Sequence, residues 1–238
     1  MPQTRAVIFD FGGTLFTYEG MMNARGGRAR LFAEWLELPG DDLGPVVAAI
    51  RKGSARSAEK HFARPFYMHR EMFEDGGRYA AEELGRAMTP EIAGRWGTLF
   101  LQGFGNITPR PGMEEMLREL RRRDIHVGSA SNADIAQFDA MVESLGVREL
   151  FDSLLCSEEA RSCKPDTAIY NEALRRAGCS PQEAIFVGDT PDHDIVGADS
   201  VGMRSLLIEE TTTLSFNRGQ PRKGQVVIKE LMEILDHL

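Results

Sequence analysis

Two short, uninterrupted apolar runs in this chain each lead to an aspartate. The runs AVIF, residues 6–9, and AIFV, residues 184–187, are followed by Asp10 and, after one glycine, by Asp189. They are too short for helices and too continuous for strands with one exposed face, so they predict parallel strands buried on both faces. The carboxyl ends of such strands form the edge of a sheet where ligands bind. The sequence therefore predicts an α/β protein with its chemistry at Asp10 and Asp189.

Three weaker apolar stretches complete the predicted sheet. They cover residues 125–129, 153–156 and 205–208, and helical patterns lie between most of the strand candidates. One of these helices is expected to begin at residue 166 or 167 and to end at Gly178, since glycine suits the C-terminus of a helix. This alternation is typical of a Rossmann-like, doubly wound parallel sheet.

A long helical segment interrupts the predicted sheet. Ser131, in the next polar motif, follows Asp10 by 121 positions, whereas a strand–helix–strand unit needs only a few tens of residues. Within this gap, residues 15–108 carry helical patterns and no strand pattern. We therefore expect an α/β core domain made of residues 1–14 and 109–238, with a helical domain, residues 15–108, inserted after the first strand. The four expected helices cover residues 29–37, 43–60, 67–84 and 90–101.

Four polar motifs occur in order along the predicted core. They are FDFGGT at Asp10, SASN at Ser131, KPD at Lys164 and GDTPDHD at Asp189. Together they resemble the motifs of the haloacid dehalogenase superfamily, which includes phosphohydrolases with an aspartate nucleophile. The resemblance spans about residues 5–210. It implies a Rossmann-like core with a helical cap over the catalytic pocket.

The resemblance also implies a phosphoryl-transfer site with a bound cation. Asp10 would be the nucleophile, whose carboxylate attacks phosphorus and forms an acyl phosphate. Asp10, Asp189, Asp194 and the backbone carbonyl of Gly12 would hold Mg²⁺, a hard cation that prefers oxygen ligands. The ion would offset the repulsion between the nucleophile and the phosphate.

Three further residues would bind the transferring phosphoryl group. The resemblance implies that Lys164 places a positive charge beside both the nucleophile and the phosphate. Ser131 and the backbone around Asn132 would donate hydrogen bonds to the phosphoryl oxygens. The expected substrate is a small phosphorylated metabolite, whose identity depends on side chains of the cap.

One position departs from the pattern of the family's phosphatases. The residue two places after their nucleophile is usually a second aspartate that acts as general acid and base, whereas here it is Gly12. General acid–base catalysis contributes about 10² to 10⁴-fold, so we expect a preference for good leaving groups, as in acyl, anomeric sugar and aryl phosphates. The candidates for a replacement acid are Tyr18, Glu19, His61, His69, Asp192 and His193.

Composition narrows the possible partners and compartments. The net charge of −8 and the pI near 5.3 argue against binding of nucleic acid, which requires a basic surface. Three cysteines without metal-ligand spacing favour a reducing compartment, which we take to be the cytoplasm. The sequence begins without a recognisable secretory leader and has no apolar run of membrane-spanning length, so we expect no membrane association.

A basic stretch in the helical segment leaves two interpretations open. Residues 51–70 contain six Lys and Arg residues and one acid, although the whole chain is acidic. The stretch is either a cap surface that attracts an anionic substrate or an ordinary solvated helix face. The six residues are Arg51, Lys52, Arg56, Lys60, Arg64 and Arg70.

Three alternatives to a phosphatase stay open. A haloacid dehalogenase also lacks the second aspartate, but it uses no metal and usually disrupts the acid that corresponds to Asp189. A phosphonate hydrolase has a small residue at the position of Gly12 and forms a Schiff base through a cap lysine, for which Lys52 and Lys60 are candidates. In the third motif, a phosphonate hydrolase resembles a protein with an arginine at the position where this chain has Lys164. A non-catalytic ligand-binding protein is supported by Gly12 alone. We therefore predict a Mg²⁺-dependent phosphohydrolase.

Overall fold

The computed structural model describes residues 3–18, 25–39, 41–105, 107–210 and 219–238. Within these ranges the strands are β1 (Ala6–Phe9), β2 (Phe16–Thr17), β3 (Thr108–Pro109), β4 (His126–Ser129), β5 (Ala184–Gly188), β6 (Arg204–Ile208) and β7 (Val227–Ile228). The main sheet is parallel, with the strand order β4-β1-β5-β6-β7, and β2 pairs with β3 in a small antiparallel ribbon. The predicted α/β fold class is confirmed.

Helices flank this sheet and fill the segment after β2. They are α1 (Arg25–Trp35), α2 (Gly44–Phe62), α3 (His69–Glu83), α4 (Pro90–Gln102), α5 (Met113–Arg122), α6 (Ile135–Leu145), α7 (Ser157–Ala160), α8 (Thr167–Ala177) and α9 (Val196–Ser200). A π-helical turn, Pro191–Ile195, precedes α9, and a 3₁₀-helix, Leu231–His237, lies near the C-terminus. No helix in the described ranges combines the length and the apolarity that a membrane crossing requires.

The centre of the sheet is buried on both faces. β1 and β5 are neighbours, with Ala6 opposite Ala184, and every residue of both strands is buried. Alternate side chains of β1 enter two separate apolar clusters, Val7 and Phe9 in one and Ala6 and Ile8 in the other. Because side chains alternate across a strand, the continuous apolar run fills both cores, as the sequence predicted.

Some sequence-based assignments were wrong. Residues 153–156 make only isolated bridges beside β4 and form no strand. The ladder is interrupted because the Leu155 N–H donates to the Ser129 hydroxyl (3.0 Å) instead of to a strand carbonyl. The segment 15–108 is not free of strands, since the two-residue strands β2 and β3 lie at its ends. Helix α6 and strand β7 had no sequence prediction.

The helices α1 to α4 share an apolar cluster of their own. Phe32 of α1, Ala80 of α3 and Trp96 of α4 are fully buried in this cluster. The expected helices over 43–60, 67–84 and 90–101 correspond to α2, α3 and α4 to within about two residues at each end. The β2–β3 ribbon joins the two points at which the chain leaves and re-enters the sheet region.

Candidate active site

The four polar motifs meet at the carboxyl edge of the parallel sheet. Asp10 follows β1, Ser131 follows β4 and Asp189 follows β5, so three strand ends bring them to one edge. Lys164 reaches the same place from the loop before α8. These four side chains line one cavity of about 80 Å³. The structure thus gathers residues that lie far apart in the chain.

Lys164 is the positive centre of the cluster. Its Nζ lies 2.7 Å from Asp10 Oδ1 and 2.6 Å from Asp194 Oδ1, and only 3% of the residue is exposed. Burial alone would lower the pKa of Lys164, but the carboxylates of Asp10 and Asp194 outweigh that effect and hold the pKa above its usual value. The lysine is therefore a fixed positive charge beside Asp10.

The backbone of Lys164 is clamped by a side chain from the second motif. Asn132 Oδ1 accepts a hydrogen bond from Lys164 N (2.7 Å), and Asn132 Nδ2 donates to Lys164 O (3.1 Å). The peptide bond between Lys164 and Pro165 is cis. Asn132 also lines the cavity, and its two hydrogen bonds position the lysine.

Ser131 contacts the nucleophile candidate directly. Its hydroxyl donates a hydrogen bond of 3.0 Å to Asp10 Oδ1, the same oxygen that faces Lys164. The Asp10 N–H donates to Val187 O (2.9 Å), which extends the β1–β5 ladder by one residue and fixes the aspartate backbone. One carboxylate oxygen of Asp10 is thus held by two donors, and the geometry orients the side chain.

Three carboxylates crowd the site. Asp10, Asp189 and Asp194 each offer an oxygen within 4.8 Å of the others. Burial raises the pKa of Asp189 well above its usual value, and repulsion from Asp194 and Asp10 adds to the shift. Burial also raises the pKa of Asp10, against the opposing effect of Lys164. The three carboxylates form an oxygen-rich donor set, which fits a hard divalent cation such as Mg²⁺.

Two glycines permit this crowding. Gly13 has φ +77°, and a Cβ at this position would lie 2.2 Å from Asp189 Oδ2. A Cβ on Gly188 would lie 2.3 Å from Asp194 Cγ. Real side chains essentially never approach so closely, so larger residues at these positions would displace the acids. The glycines in FDFGGT and VGD therefore bring the carboxylates together.

The turn that carries Asp194 depends on two residues that the sequence analysis did not single out for the site. The Thr190 N–H donates to Asp194 Oδ2 (2.9 Å), and the Thr190 hydroxyl donates to Asp189 Oδ1 (3.2 Å). Tyr170 of α8 donates its hydroxyl to His193 O (2.6 Å). The position of Thr190 inside GDTPDHD was the available sequence signal. Tyr170 carried none, because it lies in a predicted helix outside the four motifs.

Gly12 is packed against a tyrosine hydroxyl. A Cβ built on Gly12 would lie 2.3 Å from Tyr18 Oη. Tyr18 is 8% exposed, lines the cavity and makes an edge-to-face contact with Phe16, with ring centroids 5.6 Å apart. Burial, together with the charges of Asp189 and Asp10, raises the pKa of the Tyr18 phenol well above its usual value. Tyr18 therefore remains a neutral hydrogen-bond donor.

The other candidates for a replacement acid lie in different places. His69 and His193 line the cavity. His61 Nε2 lies 3.1 Å from Asp75 Oδ2 within the helical segment. Asp192 packs beside Gly219. Glu19 lies outside the described residues.

The other side chains that line the cavity form a wall without carboxylates, lysines or arginines among the described residues. It is built by α2, α3, the segment between them and parts of the core. His69 is held in this wall by Gln137, whose Oε1 lies 3.0 Å from His69 Nδ1. Burial lowers the pKa of His69, although Asp134 and the Gln137 contact oppose the shift. The wall consists of Tyr18, Phe62, Tyr67, His69, Met72, Phe73, Phe104, Gln137, Met141 and His193.

The start of α3 is docked on the strand edge. The carboxylate of Asp134 accepts hydrogen bonds from the N–H groups of His69 (2.7 Å) and Arg70 (2.8 Å). The Cys163 N–H donates to Pro65 O (2.7 Å), a second contact between the core and the segment that precedes α3. Asp134 thus satisfies two N–H groups that a helix N-terminus leaves without intrahelical partners, and it fixes the wall relative to the acids.

The basic stretch of residues 51–70 forms ion pairs on an exposed helix face. Three of its four lysines and arginines on α2 pair with acids on α3. None of the six lines the cavity in the described part of the chain. Arg56 also lies over the ring of Tyr79, 3.9 Å from its centroid. The contacts favour the interpretation as a solvated face. The pairs are Lys52–Glu83 (3.1 Å), Arg56–Glu82 (2.8 Å) and Lys60–Asp75 (2.7 Å).

Residues 4–202 match the haloacid dehalogenase-like hydrolase family. The chain belongs to this family. A glyceraldehyde 3-phosphate phosphatase of Methanothermobacter thermautotrophicus is 32% identical over 138 residues, which cover 56% of this chain and 61% of that protein. The chain thus spans less than two thirds of this relative's length. A ribulose-1,5-bisphosphate 5-phosphatase of Halopiger xanaduensis is 28% identical over 97% of this chain and 98% of that protein.

A solved dehalogenase has the same fold as this haloacid dehalogenase-like hydrolase. The structure of L-2-haloacid dehalogenase from Xanthobacter autotrophicus with chloropropionic acid covalently bound has a TM-score of 0.69 and covers 98% of this chain and 97% of that chain. The sequence identity is 18%, which shows the shared fold alone. The site residues themselves must distinguish between phosphoryl transfer and dehalogenation.

Proposed function

We propose that the protein is a Mg²⁺-dependent phosphohydrolase that acts on a small phosphorylated metabolite through an aspartyl-phosphate intermediate. The observation that carries this proposal is the buried cluster in which Lys164 contacts Asp10 and Asp194 while Asp189 completes a set of three acids. A dianionic phosphate needs cationic partners, and this cluster offers a lysine and an oxygen-rich cation site at one point. Phosphatases among the relatives support the same reaction class.

Four groups would hold the magnesium ion. They are the carboxylates of Asp10, Asp189 and Asp194 and the backbone carbonyl of Gly12, which glycine retains. When bound, the ion would supply positive charge that offsets the repulsion between the phosphate and the buried acids. The close grouping of the three carboxylates, with oxygens within 4.8 Å of one another, supports this assignment.

The chain's own residues perform the displacement. A carboxylate oxygen of Asp10 forms a bond to phosphorus while the bond from phosphorus to the leaving-group oxygen breaks. Lys164 and the Ser131 hydroxyl orient Asp10 and, with the backbone around Asn132, bind the phosphoryl oxygens. Water then attacks phosphorus, which releases inorganic phosphate and restores the carboxylate.

The helical segment would act as a cap over this reaction. We assign residues 1–14 and 109–238 to the core domain and 15–108 to the cap. Residues from α2 and α3, including Phe62 and Phe73, supply the uncharged wall of the cavity. Such a wall excludes water and contacts the organic part of the substrate. An uncharged wall suits a substrate whose organic group carries no second anion.

Gly12 would bias the enzyme toward good leaving groups. Without a carboxylic acid at this position, no general acid protonates a strongly basic leaving oxygen from there. Acyl, anomeric sugar and aryl phosphates are the substrates expected to react well. We place the reaction in the cytoplasm, which is supported by the three free thiols of Cys156, Cys163 and Cys179.

Dehalogenation is the second candidate, because its branch of the family also lacks the acid that Gly12 replaces. The intact pair of Asp189 and Asp194 favours the metal-dependent reaction over it. A phosphonate hydrolase would need a cap lysine at the substrate, but Lys52 and Lys60 pair with acids on an exposed face. A purely ligand-binding role leaves the oriented nucleophile unexplained.

The decisive experiment is phosphate release from phosphomonoesters graded by leaving-group pKa, with and without Mg²⁺. The proposal predicts metal-dependent release that Asp10→Asn abolishes. Asp139→Asn removes a surface carboxylate that pairs with Arg148, and it should leave activity unchanged. A flat dependence on leaving-group pKa would contradict the preference for good leaving groups. Halide release from 2-haloacids without phosphate release would favour dehalogenation.

A further inference from the structure

The space where a side chain at position 12 would begin is occupied by a phenol oxygen. The Tyr18 hydroxyl lies 2.3 Å from the Cβ position of Gly12, and Tyr18 Cζ lies 3.1 Å from it. A non-bonded carbon and oxygen do not approach this closely. Tyr18 and an aspartate at position 12 therefore exclude each other, and the hydroxyl lies near the point where such an aspartate would place its carboxyl group.

We propose that Tyr18 takes the place of the missing second aspartate and donates a hydrogen bond from its hydroxyl to the leaving-group oxygen. This inference rests on the proposed phosphohydrolase function. It singles out one of the replacement candidates by position, because Tyr18 Oη is the group that abuts Gly12.

The hydroxyl is held in place by the loop that carries it. The edge-to-face contact with Phe16 fixes the ring, and the pairing of β2 with β3 fixes the backbone on the N-terminal side of Tyr18. Arg110, next to β3, donates to Thr14 O (3.0 Å) and to Gly13 O, so it ties the turn between the nucleophile and Tyr18 to the same ribbon. A donor that is already oriented stabilises developing charge without reorganisation at the moment of reaction.

The chemistry fits a phenol. When Asp10 oxygen bonds to phosphorus, the bond to the leaving oxygen breaks and its electron pair stays on that oxygen. The Tyr18 O–H, a donor in its ordinary neutral form, would hydrogen-bond to this oxygen, which then takes a proton from water to give the alcohol. Such donors contribute about 10² to 10³-fold to a rate. The contribution should be large for a basic alkoxide and small for a stable phenolate.

The two histidines in the wall are placed less well for this role. His69 Nδ1 contacts Gln137 Oε1 (3.0 Å), and the His69 ring stacks on Tyr67 with centroids 5.5 Å apart. The ring of His193 packs edge-to-face on Phe62. Tyr18 alone among these three abuts Gly12, the position at which the family's acid is missing.

The test compares wild type and Tyr18→Phe on an alkyl phosphate and on 4-nitrophenyl phosphate, using kcat/KM in the presence of Mg²⁺. The hydroxyl is removed while the ring and its contact with Phe16 remain. We expect kcat/KM to fall about 10²-fold for the alkyl ester and less than about 3-fold for the nitrophenyl ester. The dependence on leaving-group pKa should become steeper.

A matched control removes another hydroxyl from the same cavity. Tyr67→Phe should change both substrates by the same factor, because the Tyr67 side chain hydrogen-bonds with Asn132, which would bind the phosphoryl group common to both esters. A second pair of variants keeps the test independent of packing. Gly12→Asp in a Tyr18→Ala background has room for its carboxyl group and should regain at least about 10-fold on the alkyl ester relative to Tyr18→Ala alone. Circular dichroism and thermal melting check that each variant is folded.

Several results would overturn the inference. An equal loss on both esters in Tyr18→Phe would assign Tyr18 a structural role, and unchanged rates would assign it none. The absence of any gain from Gly12→Asp in the Tyr18→Ala background would place this side of the cavity away from the leaving group. These outcomes leave the phosphohydrolase proposal standing, whereas a wild type that releases no phosphate from either ester overturns both.

Discussion

The two halves of the cavity are lined by different kinds of side chain. The inner half consists of buried charges on strand ends, where Lys164 contacts Asp10 and Asp194. The outer half is an uncharged wall of aromatic, methionine and neutral polar side chains, many of them carried by α2 and α3. On the proposed function, the inner half would bind the phosphoryl group and the outer half would contact the organic part of the substrate. The reaction type and the choice of substrate would then depend on different side chains.

The comparison also separates buried from exposed charge. Lys164 and Lys60 each approach an aspartate oxygen to 2.7 Å, but Lys164 is buried whereas the side chain of Lys60 is 44% exposed. A buried charge that loses its partner is left in a medium of low dielectric, whereas an exposed one is solvated. Two ion pairs with the same N–O distance can therefore differ in the free energy that is lost when one partner is removed.

The largest expected effect comes from Lys164→Met. This substitution leaves Asp10 and Asp194 without their cation, and breaking a buried pair costs about 3–5 kcal/mol of unfolding free energy. Urea unfolding in the presence of a chelator measures this change. The matched variant Lys60→Met removes an ion pair of the same distance and should cost no more than about 1 kcal/mol. Equal losses of unfolding free energy in the two variants would contradict the claim that the buried pair stabilises the protein more than the exposed pair.

A smaller effect is expected where the two halves are joined. Asp134→Ala removes the acceptor for the His69 and Arg70 N–H groups, and the loss of such a helix cap costs about 2 kcal/mol. Because the wall then loses its anchor, KM should also rise. Asp166→Ala removes the N-cap of α8 in the core, where Asp166 Oδ1 accepts from Ala168 N (3.0 Å). It should cost a similar stability with KM unchanged, and a rise in KM in both variants would contradict the anchoring role.

The contribution of the wall to the free energy of unfolding should depend on pH through His69. The pKa of buried His69 is lowered relative to the unfolded chain, where a histidine titrates near 6.5. The unfolded state therefore binds more protons below about pH 6.5, so the contribution of His69 is fully present above that pH and is lost on acidification. In His69→Asn, the loss of unfolding free energy between pH 7 and 5 should be smaller than in wild type. Identical profiles would show that His69 does not titrate in this window.

The smallest effect is expected on the basic face. Arg56→Glu reverses one charge of the pair with Glu82, and Lys60→Glu does the same opposite Asp75. Exposed pairs contribute less than about 1 kcal/mol each, and neither residue lines the cavity. KM for a phosphate ester should stay unchanged at moderate salt. A several-fold rise in KM would restore the interpretation as a substrate-attracting surface.

The sequence predicted the α/β fold because two apolar runs, at residues 6–9 and 184–187, fill both faces of the sheet. The ends of these runs indicated Asp10 and Asp189, and the family resemblance added Lys164. The structure brings these residues together, while their catalytic roles remain proposals. The helices of the inserted segment were predicted well because their periodic patterns are long. The strand over 153–156 was predicted wrongly, since a single serine hydroxyl replaces a carbonyl in its ladder.

Contacts between residues that are far apart in the chain could not be predicted from the sequence. Nothing in the motif FDFGGT indicates that Tyr18 folds back onto Gly12, because that contact depends on the ribbon formed with residues near 108. The anchoring of α3 by Asp134 joins positions 64 and 65 residues apart, and no local pattern marks it. The wall depends on which faces of α2 and α3 are turned to the sheet, a property of packing rather than of periodicity.

The most direct test of the central claim is to look for a phosphoryl group on Asp10 during turnover. Enzyme, Mg²⁺ and an aryl phosphate are mixed, quenched with acid within one turnover and digested for mass spectrometry. The proposed mechanism predicts a peptide in which Asp10 is phosphorylated. Hydroxylamine should remove this phosphoryl group, and Asp10→Asn should not form it. Phosphate release with Asp10 unmodified throughout the reaction would contradict the account.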